Sequence, residues 1–156
     1  MPGNNLDSKD YLLLELSSKV RYALLALLEL ASHQDKKVPL TMSEITAKQP
    51  IPDRYLEQIL TTLRRSGMIQ SQRGSKGGYV LVREPWQITV LEVVTLVDGE
   101  RKEKEYSEPA TLENNLICEI WQKADTASQQ ILNGYTIQDL CQERDARKQQ
   151  NPMYYI

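Results

Sequence analysis

Residues 72–81 read QRGSKGGYVL, which sets Arg73 and Lys76 among Gly74, Gly77 and Gly78 just before an apolar run. Cationic side chains attract phosphate, and glycines admit positive φ and close backbone approach. The chemistry on offer is phosphate binding, of a nucleotide or of a nucleic acid. The nucleotide alternative fits poorly. GSKGGY departs from the pattern G-x-x-x-x-G-K-[ST] and does not open a helix after a strand. A second set lies upstream in PDRYLEQILTTLRR. There Leu56, Ile59, Leu60 and Leu63 recur at helical spacing and make a buried stripe. Arg54, Gln58, Thr61 and Arg65 fall on the opposite face. Arginine and glutamine are the types that make paired hydrogen bonds to guanine and adenine edges. A plain solvated face is the competing reading.

Other reactive types are sparse. The chain has two cysteines, Cys118 and Cys141, and one histidine, His33. Two cysteines are too few for a disulfide framework, and their spacing matches no zinc pattern. With no nucleophile–base constellation, an enzyme is not expected.

The elements that position these residues follow from composition and punctuation. A chain of 156 residues, 40% hydrophobic and 26% charged, suits one compact domain plus an appendage. No apolar run approaches the roughly 18 residues of a membrane span. The start, MPGNNLDSKD, lacks the cationic and apolar regions of a secretory signal, so a cytoplasmic protein without membrane contact is expected. The net charge of −2 conceals an asymmetry. Residues 1–84 carry 12 Lys and Arg against 9 Asp and Glu, and the remainder carries 7 against 12. Between 54 and 83 stand six cations and one acid, Glu57. Such a local excess is a footprint for polyanions or a solvated basic face.

Residues 1–15 read as an arm. Ser17 or Ser18 can cap a helix through about Ser32, apolar nearly all round and therefore central. Thr41 and Glu44 form a capping box for a short second helix, which the prolines of QPIP end. Pro52 opens a third helix with Asp53 in its first turn, and Gly67 closes it. MIQSQ and YVLVR are two short strands around the glycine turn. Thr89 and Glu92 make another capping box, closed by Gly99. A charged linker follows at 100–109, then a helix from Ala110 to about Asn133, a short last helix capped at Thr136 and ending near 148, and a tail at 149–156. The expected fold is mainly α with a small β-hairpin: a winged helix-turn-helix at 16–99 plus a long dimerisation helix. In that layout the third helix enters the major groove and the hairpin tip meets the backbone or minor groove. The long helix presents Leu112, Leu116, Ile120, Ala124, Ala127 and Ile131, a stripe that wants a partner. A twofold homodimer is the expected answer, and folding back on the first helix is the alternative.

Four stretches in order, SSKVRYALLALLELA, IPDRYLEQILTTLRRSGMI, SQRGSKGGYVLVREP and ITVLEVVTLVDG, resemble the Rrf-two family of bacterial transcription regulators. The resemblance runs from about Leu14 to Gly99 and more weakly through LICEIW and LNGYTIQDL. It implies a homodimer that binds double-stranded DNA at an imperfect palindrome and usually represses. The DNA-contact set is then Lys19, Arg54, Tyr55, Glu57, Gln58, Thr61, Arg73, Gly74, Ser75 and Lys76. Arg73 is the wing arginine aimed at the minor groove, and Glu57 could accept from cytosine.

Cluster-binding members of that family carry three cysteines in the linker before the long helix, where Asp98–Asn115 here has none. No cofactor or metal is therefore expected. The alternative is a sensor with an atypical [2Fe–2S] site or thiol switch around Cys118, using His33 and a carboxylate across the dimer. A third reading is an interaction module that partners a metabolic enzyme.

Overall fold

The structure, a computed structural model, describes residues 14–34, 38–75, 77–99 and 111–151. The arm as far as residue 13, Lys76, the linker at 100–110 and the tail from 152 lie outside the described residues. Among the described residues, six helices and one hairpin follow in order: α1 (Ser18–Ser32), α2 (Met42–Lys48), α3 (Asp53–Arg65), β1 (Ile69–Gln72), β2 (Gly78–Leu81), α4 (Val90–Asp98), α5 (Leu112–Asn133) and α6 (Ile137–Gln150). A short 3-10 turn at Pro85–Gln87 precedes α4.

Hydroxyl caps start most of the helices. Ser17, Thr41, Thr89, Thr111 and Thr136 each accept from the backbone N–H three residues on. Such a bond satisfies one of the free donors of a first turn. Of these five caps, Thr136, with Asp139, completes the reciprocal box. At Thr41 the Glu44 carboxylate accepts from the threonine hydroxyl instead, and at α4 Glu92 takes Arg83 as its partner. The two boxes expected at those helices are thus half-formed, because each acid found a better donor. α3 starts one residue later than expected, with Pro52 as its extended cap. It ends at Ser66, followed by Gly67 at φ 85°.

The core forms where α1 meets α3, α4 and α6. Leu27, Ile45, Leu56, Leu60, Leu63, Met68, Ile69, Ile88, Val93 and Ile137 are all essentially inaccessible. Full burial stabilises by about 1.5–3 kcal/mol for each large apolar side chain. β1 and β2 pair antiparallel, Ile69 opposite Leu81 and Gln72 opposite Gly78. Leu40 and Tyr79 exchange both backbone hydrogen bonds, at 3.0 and 2.8 Å, so the segment before α2 extends the hairpin by one bridge. The C-terminal elements are tied in the same way. Thr89 faces Thr136 in an isolated bridge, with Val90 N–H donating to Tyr135 and Ile137 N–H to Ile88. Consequently α6 covers α1, while α5 packs against α4 and buries none of its residues.

Candidate nucleic-acid interface

α3 is held from below by Leu56, Ile59, Leu60 and Leu63, all buried. Its other face is then fixed by 100° per residue: Arg54, Glu57, Gln58, Arg64 and Arg65 are exposed. Thr61 is half-buried, and its hydroxyl donates to the Glu57 carbonyl at 2.9 Å, which leaves it only acceptor capacity for a base. Tyr55 is half-buried and lies against Tyr22 of α1, with ring centroids 5.7 Å apart.

The turn before α3 is fixed by a buried carboxylate. Glu29 of α1 is 8% exposed and accepts from Gln49 Nε2 at 2.8 Å. Gln49 ends α2, and its carbonyl accepts from Ile51 N–H at 2.8 Å, so the chain turns tightly into α3. The sequence reading passed over Glu29. Its position among Leu27, Leu28 and Leu30 was the available signal.

In the wing, Arg73, Gly74 and Ser75 are exposed between the strands. Gly74 adopts φ 116°, and its carbonyl accepts from Gly77 N–H at 2.9 Å. A Cβ on Gly77 would lie 2.8 Å from the Gln72 carbonyl oxygen, and one on Gly78 would lie 2.4 Å from that of Leu40. The three glycines therefore serve the backbone: one turns it and two admit close neighbours. Lys19 is exposed at the first turn of α1.

On α5, Leu112, Leu116, Ile120 and Ile131 are 53–71% exposed, and Ala124 and Ala127 are exposed too. Ile117 and Trp121, four residues apart, widen this face, and of the two Trp121 was not expected there.

Three helices, a hairpin packed behind the third, and a protruding long helix form a winged helix-turn-helix with an appendage. The sequence profile described as "Rrf2: Iron-dependent Transcriptional regulator" matches residues 16–143. The chain belongs to the Rrf2 family of transcriptional regulators. Among Rrf2 relatives, the HTH-type transcriptional regulator CymR of Bacillus subtilis is 32% identical over 92% of this chain and 100% of its own length. The solved structure of that organism's CymR, titled the global cysteine regulator, superimposes with a TM-score of 0.70 over 83% of this chain and 98% of that one. The IscR structure from T. potens gives 0.72 at 29% identity, over 91% of this chain and 97% of that one.

The Rrf2 fold directs attention to possible cluster ligands, and the donor set here does not fit one. A conventional [2Fe–2S] centre takes about four thiolate or imidazole ligands. Cys118 is half-buried on α5. His33 ends α1, with Nδ1 3.0 Å from the Glu29 carbonyl. Cys141 packs on the core from α6. Burial pushes its thiol pKa up, Arg144 opposes that, and Asp145 and Glu29 add to it. Among the described residues, no group of three or more His, Cys, Asp or Glu could hold a metal ion. Nor does any helix among them have the length and apolarity to cross a membrane.

Proposed function

We propose that this Rrf2-family regulator is a cytoplasmic homodimeric repressor that binds a pseudo-palindromic operator in double-stranded DNA. In this reading α3 enters the major groove, where Arg54 and Gln58 read purine edges and Glu57 accepts from cytosine. Arg73 reaches into the adjacent minor groove, while Lys19 and Lys76 meet phosphates. The observation that carries the reading is the division of α3 into a wholly buried apolar stripe and an exposed face of Arg54, Glu57, Gln58, Arg64 and Arg65. A helix that merely faced water would have no use for this run of forked hydrogen-bonding groups beside a cationic glycine turn.

The dimer is supported by α5. Six large apolar side chains, Leu112, Leu116, Ile117, Ile120, Trp121 and Ile131, are each more than half exposed on one helix. Contiguous apolar surface of this kind marks an interaction face, and a twofold axis would present two α3 helices to half-sites about one DNA turn apart.

Selection from a random-sequence duplex pool with the full chain tests the reading. The expected product is a palindrome bound as a dimer, with affinity falling steeply as salt rises. Failure to enrich any sequence, or enrichment of a single asymmetric half-site by a monomer, would defeat it.

A further inference from the structure

We infer that Tyr22 of α1 is a positioning residue for the reading of DNA bases, acting through Tyr55 on Arg54; this rests on the operator-binding reading above. The Arg54 guanidinium carbon stands 5.7 Å from the centroid of the Tyr55 ring. That is within the range where a cation is held over an aromatic face. The Tyr55 ring is in turn 5.7 Å from that of Tyr22, tilted at 44°. This separation suits an aromatic pair. Tyr22 belongs to a helix locked in the core by Ala23, Ala26 and Leu27. A continuous path therefore runs from the core through two rings to a guanidinium at the start of the recognition helix.

The path matters because a free arginine side chain holds about 2 kcal/mol of rotamer entropy that base reading must overcome. Stacking restricts those rotamers before DNA arrives. Neither tyrosine hydroxyl has a protein hydrogen-bond partner among the described residues. The ring of Tyr22, not its hydroxyl, thus does the positioning within the protein.

The probes are the duplex that wild type selects from a random pool and a scrambled duplex of equal length. Tyr22→Leu should lower the ratio of the two affinities by about tenfold. Binding to the scrambled duplex and the salt slope should stay as in wild type, since no charge is removed. Tyr22→Phe should restore the ratio to within about twofold. In a double-mutant cycle, adding Tyr22→Leu to Arg54→Ala should change the ratio less than about twofold, because the positioned group is gone. Thermal melts check folding, and Tyr22→Met, which fills the same space with an unbranched chain, replaces Tyr22→Leu if that variant does not fold. Loss of affinity for both duplexes in Tyr22→Phe would make the hydroxyl a phosphate contact and overturn the inference. So would a full effect of Tyr22→Leu in the Arg54→Ala background. A wild type that selects no sequence defeats the operator reading itself. A wild type that selects one, with an unaltered ratio in Tyr22→Leu, defeats only this inference.

Discussion

The Glu92 carboxylate, in the first turn of α4, accepts a charge-assisted hydrogen bond from Arg83, just past the end of β2. Arg83 also donates to the Gln87 carbonyl at 2.7 Å, so one guanidinium clips the wing to the 3-10 turn and to α4. Both side chains are about a third exposed, which limits the pair to the upper end of surface ion pairs. Arg83→Ala should cost about 1 kcal/mol and lower Tm by about 3 °C. Arg83→Lys should recover less than half of that, because an ammonium cannot reproduce the fork. Calorimetry of the three proteins checks this.

Gly78→Ala should be far more damaging. Its Cβ would collide with the Leu40 carbonyl oxygen at 2.4 Å, and φ there is 148°. Strain and overpacking together cost about 3 kcal/mol, and the Leu40–Tyr79 bridge should open. Gly74→Ala meets nothing within 4 Å and suffers only its φ of 116°. It should cost about 1 kcal/mol. Equal melting temperatures for the two variants would contradict the assignment of distinct roles to these glycines.

Arg73→Ala should weaken operator binding by about 1–3 kcal/mol and relax specificity at one position of each half-site. Lys76→Ala should weaken all DNA alike and reduce the salt slope by about one. Titrations of selected and scrambled duplexes at several salt concentrations separate the two outcomes.

Ile120→Glu places a charge on a side chain that is 60% exposed in the single chain. It should leave the helical circular dichroism of the body intact and give a monomer by sedimentation at micromolar concentration, with affinity for a full palindrome reduced at least about a hundredfold. A dimer that survives the charge would locate the interface elsewhere.

Cys141 offers a pH test. Burial holds its thiol above the usual 9.0. The protonated form is therefore favoured in the folded state. Below pH 9 both states keep the proton and nothing changes with pH. As pH rises through the folded value, the unfolded state has already lost its proton, and stability falls. Cys141→Ala should flatten this decline above pH 9, and alkylation of Cys141 at pH 8 should be slow until the protein unfolds. Rapid alkylation in the native state would contradict its burial.

What the sequence by itself determined is whatever depends on neighbours within a few residues. The caps at Ser17, Thr41, Thr89 and Thr136, the i, i+3, i+4 stripe of α3 and the positive-φ turn at Gly74 are local hydrogen-bonding or steric facts. They were legible for that reason, and with them the outward placement of Arg54 and Gln58. Tertiary structure decided the choices between partners distant in sequence. It diverted Glu92 from its own helix start to Arg83, joined Glu29 to Gln49, and set Gly78 under Leu40. It also settled the fate of the two C-terminal helices. Thr89 pairs with Thr136, and Arg144 donates to Ser32 at 2.7 Å, so α6 is drawn over α1 and the stripe of α5 is left bare. Periodicity states that a helix has an apolar face. Which surface covers that face depends on a sum of contacts over the whole fold, and no window of sequence contains that sum.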